Sequence, residues 1–173
     1  MMIKIGKDIS KFYVHSHRPT NIEELKFIIY DRIDKEGLEC DLNDIDTSLI
    51  TDMSWLFYCT DFNGDISGWD VSNVKNMSHM FYQSKFNNDI SNWNVSNVED
   101  MSDAFMYSVF DKDISNWDVS KVKNMSYMFY NSSFNQDISN WNISDDCNVY
   151  GMLGGYIRWS NIKEEHKPKS LQK

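Results

Sequence analysis

The chain is short of residues that break a fold and of residues that cross-link one. Two prolines and seven glycines in 173 residues are too few for long linkers or for a disordered low-complexity chain. Three cysteines, Cys40, Cys59 and Cys147, form no Cys-x-x-Cys pair and cannot all pair, which argues against a disulfide framework and suits a reducing compartment. The opening stretch MMIKIGKDISKFYVHSHRPT lacks an apolar run long enough for a signal peptide or a membrane span. A cytoplasmic protein that does not engage a membrane is expected. Positive charge is scarce too. The formal net charge is −9, and residues 38–157 carry 18 acidic against 5 basic side chains. That segment disfavours direct contact with nucleic acid and favours a protein partner with a basic surface.

What the chain has in abundance is repetition. FNGDISGWDVSNVKNMSHMFYQSK from Phe62 is followed by FNNDISNWNVSNVEDMSDAFMYSV from Phe86 and FDKDISNWDVSKVKNMSYMFYNSS from Phe110, and FNQDISNWNIS opens a further unit at Phe134. The period is 24 with no insertion, the mark of stacked like units. One step back from Phe62 lands on Leu38, where Asp41, Leu42, Ile45, Asp46, Ser48, Ile50, Met53 and Phe57 fall into the same register. Five units are expected. The last one decays after Ser144, with Asp146 in the valine place, Val149 in the methionine place and Leu153 in the phenylalanine place.

Before the repeats, Thr20 and Glu23 read as a capping box, and Ile22, Leu25, Ile28, Ile29 and Ile33 follow at helical spacing up to Gly37. A helix of about four turns with one apolar face is expected to cover the open end of the stack. Within a unit, the alternation of Trp69 and Val71 reads as a short strand, and Val74, Met77, Met80 and Phe81 as a short helix or 3₁₀ segment on the other side. Trp69, Trp93, Trp117 and Trp141 then form one buried column, with a phenylalanine and a methionine column beside it.

The consensus FNxDISxWDVSNVxNMSxMFYxS closely resembles the repeat of the BspA-like leucine-rich repeat proteins, found also in mycoplasma surface lipoproteins. The resemblance spans about residues 38–157. It implies adhesion or protein binding and no catalytic activity in the repeat. The fold expected from residues and resemblance together is an α/β repeat solenoid, leucine-rich-repeat-like. It would hold about five 24-residue units with a parallel sheet of short strands and short helices opposite, capped by the N-terminal amphipathic helix. Residues 1–37 form the arm and capping helix, 38–157 the repeats, and 158–173 a C-terminal cap begun by Trp159 and a frayed tail.

Candidate chemistry is thin. His15-Ser16-His17 lacks further ligands for a metal site. Asp41, Asp65, Asp89, Asp113 and Asp137 recur at one register. They suit carboxylates accepting backbone N–H groups at turns better than a calcium ladder, whose glycine-rich turns are missing. A nucleophilic serine would need a base, and only His79 lies in the stack. No enzyme, metal or cofactor is expected. Two surfaces remain for a partner. Asn92 and Asn116 beside the tryptophans, with the row Asp46, Asp70, Asn94, Asp118 and Asn142, are expected to point outward on an acidic, amide-rich face. Trp55, His79, Asp103 and Tyr127 occupy one variable position on the other side. The expected function is a non-catalytic protein-binding repeat that engages a basic partner. The alternatives are an intracellular inhibitor encoded by a phage or mobile element, blocking a nucleic-acid-handling host enzyme, and a bacterial surface adhesin.

Overall fold

The computed structural model describes residues 18–154 and 163–172. His15, His17 and Trp159 lie outside the described residues.

Helix α1 spans Ile22–Glu36. Its N-cap is Asn21, one residue later than the sequence suggested: Asn21 Oδ1 accepts the Glu24 N–H at 3.0 Å. Glu24, not Glu23, reaches back, its carboxylate accepting both the N–H and the hydroxyl of Thr20. Gly37 closes the helix at φ 93° and returns its N–H to Ile33 O. Leu25 and Ile29 are fully buried in the same core as the repeats. Arg32 ties the helix to the first coil, through Asp44 at 2.8 Å and the carbonyl of Asp41 at 2.9 Å.

After α1 the chain winds in coils of 24 residues whose corners are built by side chains. At the first corner Oδ1 of Asp41, Asp65, Asp89, Asp113 and Asp137 accepts the N–H two residues on. At the second, Asp46, Asp70, Asn94 and Asp118 do the same. At the third, Asp52, Asn76, Asp100, Asn124 and Asn148 do. At the fourth, the hydroxyls of Thr60, Ser84, Ser108 and Ser132 accept from the phenylalanine N–H that opens the next unit. Short oxygen-bearing side chains mimic a backbone turn in this way. The polar columns of the repeat are its bends.

The expected parallel sheet with helices opposite does not form. Among the described residues there is no strand, and α1 is the only α-helix. Two causes are visible. Between the first and third corners, Trp69 N–H returns to Ile66 O and Val74 N–H to Val71 O, so inward residues are spaced three, two and three apart by turns rather than two apart by a strand. Coils pair there only at isolated points, Asp41 with Asp65 and the Asp52, Asn76, Asp100, Asn124, Asn148 series. On the other side, the segment expected to be helical is a run of overlapping turns, with Met80, Tyr82 and Ser84 donating to Met77, His79 and Phe81. Residues at the third position of alternate turns are left-handed: Trp55, His79, Asp103 and Tyr127 at φ 55–60°, and Cys59, Gln83, Tyr107 and Asn131 at φ 52–57°. Positive φ there is what a type II turn demands, and neither strand nor α-helix accepts it.

These turns carry the inter-coil bonding. The N–H groups of residues 53, 55, 57 and 59 donate to carbonyls 76, 78, 80 and 82, and each later gap repeats the set at 2.8–3.1 Å. All run from the earlier coil to the later one. The backbone is thus satisfied between coils without a β-ladder.

Packing follows the period. Trp69, Trp93, Trp117 and Trp141 are buried, and each indole N–H donates to a carbonyl of the preceding coil: Leu42, Ile66, Ile90 and Ile114, at 2.9–3.2 Å. Phe57, Phe81, Phe105 and Phe129 stack at 5.2–5.6 Å, and Phe62, Phe86, Phe110 and Phe134 form a parallel file at 6.3 Å. Met53, Met77, Met101 and Met125 are equally buried. Ala104 stands where its neighbours carry Met80 and Met128, and a small apolar cavity lined by all three lies beside it.

The fifth coil departs from the sequence reading. Asp146 does not take the valine place; it is exposed, and Cys147 fills that slot through a turn closed onto Ser144 O. The register recovers at Asn148, which pairs with Asn124. Of the tail, residues 163–172 are described, and they are held to the stack. Two 3₁₀ turns, Glu164–His166 and Lys169–Leu171, lie against the fifth coil: Ile138 donates to His166 O at 2.9 Å, Pro168 is buried, and Leu171 packs on the core.

Candidate functional site

Two outward surfaces run the length of the stack. The first comes from the corners. Asp46, Asp70, Asn94, Asp118 and Asn142 are exposed, as are Asn92 and Asn116 and the parallel row Asp41, Asp65, Asp89, Asp113 and Asp137. Each corner carboxylate is engaged by backbone on one oxygen while the side chain faces water. The N–H of Ser67, Ser91 and Ser139, with their hydroxyls, holds Asp65, Asp89 and Asp137 below the usual carboxylate pKa. The hydroxyls of Ser48 and Ser120, with their N–H groups, do so for Asp46 and Asp118. Bonds to the charged form stabilise that form. The face therefore stays anionic at neutral pH although like charges are stacked coil upon coil. At the first coil Arg18 sits 3.0 Å from Asp46 and Arg32 binds Asp44, so guanidinium groups already meet this face there. Among the described residues no three His, Cys, Asp or Glu side chains gather into a metal-binding group.

The second surface lies over the left-handed turns. Trp55, His79, Asp103 and Tyr127 follow one another on successive coils. The Trp55 ring stacks on His79 at 3.8 Å and 10°, and His79 Nε2 lies 3.6 Å from Asp103. His79 Nδ1 is buried with no hydrogen-bond partner. Burial raises the Asp103 carboxyl above its ordinary pKa, against the pull of His79. A second file of rings continues beside this one. Tyr58 meets Tyr82 at 5.2 Å, Tyr82 meets Tyr107 at 5.8 Å, Tyr107 meets Tyr130 at 6.0 Å, and Tyr127 joins Tyr130 to Tyr150 at 5.4 and 5.3 Å. Trp55, Tyr58, Tyr107 and Tyr150 are 41–70 % exposed.

The structure thus separates the candidates into two groups that do not meet. Asp46, Asp70, Asn92, Asn94, Asn116, Asp118 and Asn142 belong to the corner face; Trp55, His79, Asp103 and Tyr127 belong to the turn face. Sequence reasoning missed Tyr107 and Tyr150 as continuations of the ring file. A signal existed for the turn conformation itself. Gly151, in the register of Trp55 and Tyr127, has φ 66°, and a Cβ there would lie 2.7 Å from the Tyr127 ring. A glycine ending a variable column points to positive φ along that column.

A family model described as "Mycoplasma protein of unknown function, DUF285" matches residues 25–109 and 51–164. The chain belongs to this family. The match covers most of the capping helix and the whole coiled region, and is consistent with the repeat of BspA-like lipoproteins. The turn-built coils give no support to a leucine-rich-repeat architecture within it. No curated protein and no solved structure matches the chain.

Proposed function

We propose that this DUF285 chain is a non-catalytic protein-binding scaffold whose corner face engages a basic surface on a partner protein. The observation that carries the reading is the pair of exposed aspartate-rich rows, fixed in position by backbone bonds, in which those bonds hold Asp46, Asp65, Asp89, Asp118 and Asp137 below the usual carboxylate pKa. Side chains already immobilised lose little entropy on binding, and a regular array of fixed anions suits lysine and arginine in a complementary array. Such charges act chiefly on the association rate and on the choice of partner.

The test is capture of partners by the wild-type chain and two variants across a salt series. Asp46, Asp70 and Asp118 changed together to Asn retain the corner hydrogen bond and remove three charges. Basic partners should be held at least about tenfold less tightly, roughly 1.4 kcal/mol, with wild-type binding also weakening as salt screens the face. His79, Asp103 and Tyr127 changed together to Ala should leave that binding intact. Partners indifferent to the asparagine variant and to salt, yet lost with the alanine variant, would refute the proposal.

A further inference from the structure

Aromatic rings are costly where this chain keeps them. Trp55, His79, Tyr107 and Tyr127 all sit at φ 55–60°, a backbone conformation that is unfavourable for residues other than Gly, Asn or Asp. Asp103, Asn131 and Gly151 in the same two columns show what the turn itself prefers. Half-exposed rings retained on strained turns are not accounted for by the core, which is filled by the tryptophan, phenylalanine and methionine columns on the inward side.

The geometry of the strip narrows what it fits. Tyr82 with Tyr107, Tyr107 with Tyr130, Tyr130 with Tyr127, and Tyr127 with Tyr150 all meet at 78–85°. From Tyr82 to Tyr150 the rings thus make notches between a face and an edge and no flat platform for a sugar ring or a base, whereas Trp55 with His79 and Tyr58 with Tyr82 stack at the other end. The segments beneath, residues 53–60, 77–84, 101–108 and 125–132, contain no Lys or Arg and a single acid, Asp103, which removes any attraction for phosphate. Coils joined by backbone hydrogen bonds recur at about 4.8 Å, so alternate coils lie about 9.6 Å apart. A polyproline II helix presents the same edge every three residues, about 9.3 Å.

We infer that the tyrosine strip is a second binding site, for an extended proline-rich segment of a partner protein lying along the stack axis. Prolines three apart seat in the notches of alternate coils, the phenol groups donate to its unpaired carbonyls, and Asp103 with the acidic chain around it selects a segment carrying a basic residue. This site is independent of the corner face.

The test is an NMR titration of isotope-labelled protein with decaproline ending in arginine, set against a glycine–serine peptide with the same arginine. Saturable shifts confined to the tyrosine strip are expected with the first peptide only. Tyr107→Ala should weaken binding about tenfold, as loss of a central aromatic contact does, whereas Tyr107→Phe should keep most of it. If Tyr107→Ala fails to fold, Tyr150→Ala, at the exposed end of the strip, should weaken binding in its place. Asp70→Asn with Asp118→Asn should leave this binding unchanged, which separates failure here from failure of the basic-partner reading. Equal binding of both peptides, no saturable binding of decaproline, or binding unaltered in both alanine variants would overturn the inference. So would shifts at the same rings with a neutral oligosaccharide such as cellohexaose in place of the peptide.

Discussion

Replacing Trp93 with Ala tests whether the coils are held as described. Trp93 is in the middle of the indole column, buried, its ring 6.4 Å from that of Trp69 and its N–H donating to Ile66 O at 3.1 Å. Truncating a buried tryptophan to alanine costs about 3–5 kcal/mol. The carbonyl of Ile66 is left without its side-chain donor inside the core, which adds about 1 kcal/mol. The expected loss of roughly 4–6 kcal/mol is a large share of the 5–15 kcal/mol that holds a domain folded. In a chain of this length it amounts to a fall in Tm on the order of 10–20 °C. Trp93→Phe keeps a ring and removes only the hydrogen bond and some area, so about 1–2 kcal/mol should be lost. Urea denaturation followed by tryptophan fluorescence and by circular dichroism gives both values. Lys112→Ala, at a polar corner position outside the core, is the reference and should change little. Because the backbone hydrogen bonds between coils join adjacent coils, the alanine variant should also split the transition, with the two ends of the stack melting apart. If Trp93→Ala cost no more than Lys112→Ala, or if Trp93→Phe cost as much as Trp93→Ala, the indole column would not be holding the stack.

Further outcomes follow from the corners and turns. Asp89→Asn preserves the bond to Ser91 N–H and should shift stability by only a few tenths of a kcal/mol, whereas Asp89→Ala should cost about 1 kcal/mol; calorimetry should detect no stoichiometric calcium binding in either or in the wild type. Asp46, Asp65, Asp89, Asp118 and Asp137 have lowered pKa values in the fold, so their contribution is complete above the unfolded value of about 3.9 and is lost as pH falls through the folded values. Acid melts should therefore show stability dropping below about pH 4; the raised Asp103 acts in the opposite sense, its penalty growing as pH rises from its unfolded to its folded value. An unchanged Tm down to pH 2 would show that the corner bonds do not favour the ionised form. Gln83→Gly, at φ 52°, should raise stability by up to about 1 kcal/mol, while Gly151→Ala, at φ 66° and facing the Tyr127 ring, should lower it by more than that.

The 24-residue period, the five registers and the identity of the inward columns were legible in the sequence because each is a one-dimensional property. Like residues at a fixed interval must stack if the coils are equal, and Trp69 to Trp141 or Phe62 to Phe134 can then only face one another. The aspartates of the first corner were legible as turn formers for a chemical reason: a short carboxylate beside a free N–H closes on it. The backbone path between corners was not legible. Ile66, Trp69, Val71 and Val74 point inward whether a strand or two turns carries them, and Met77, Met80 and Phe81 do so whether a helix or a run of type II turns carries them. Hydrophobic spacing records which side chains are buried and is silent on the sign of φ. Only stacking decided it, since the N–H groups of residues 53, 55, 57 and 59 find acceptors when the next coil lies above them in the same conformation. Tyr58, Tyr82 and Tyr130 were legible beside the variable column of Trp55, His79, Asp103 and Tyr127, but their union with Tyr107 and Tyr150 into one strip was hidden for the same reason. Tyr82, Tyr107 and Tyr130 stand 25 and 23 residues apart in the chain, and they become neighbours at about 6 Å only because left-handed turns aim them along one edge of the finished stack.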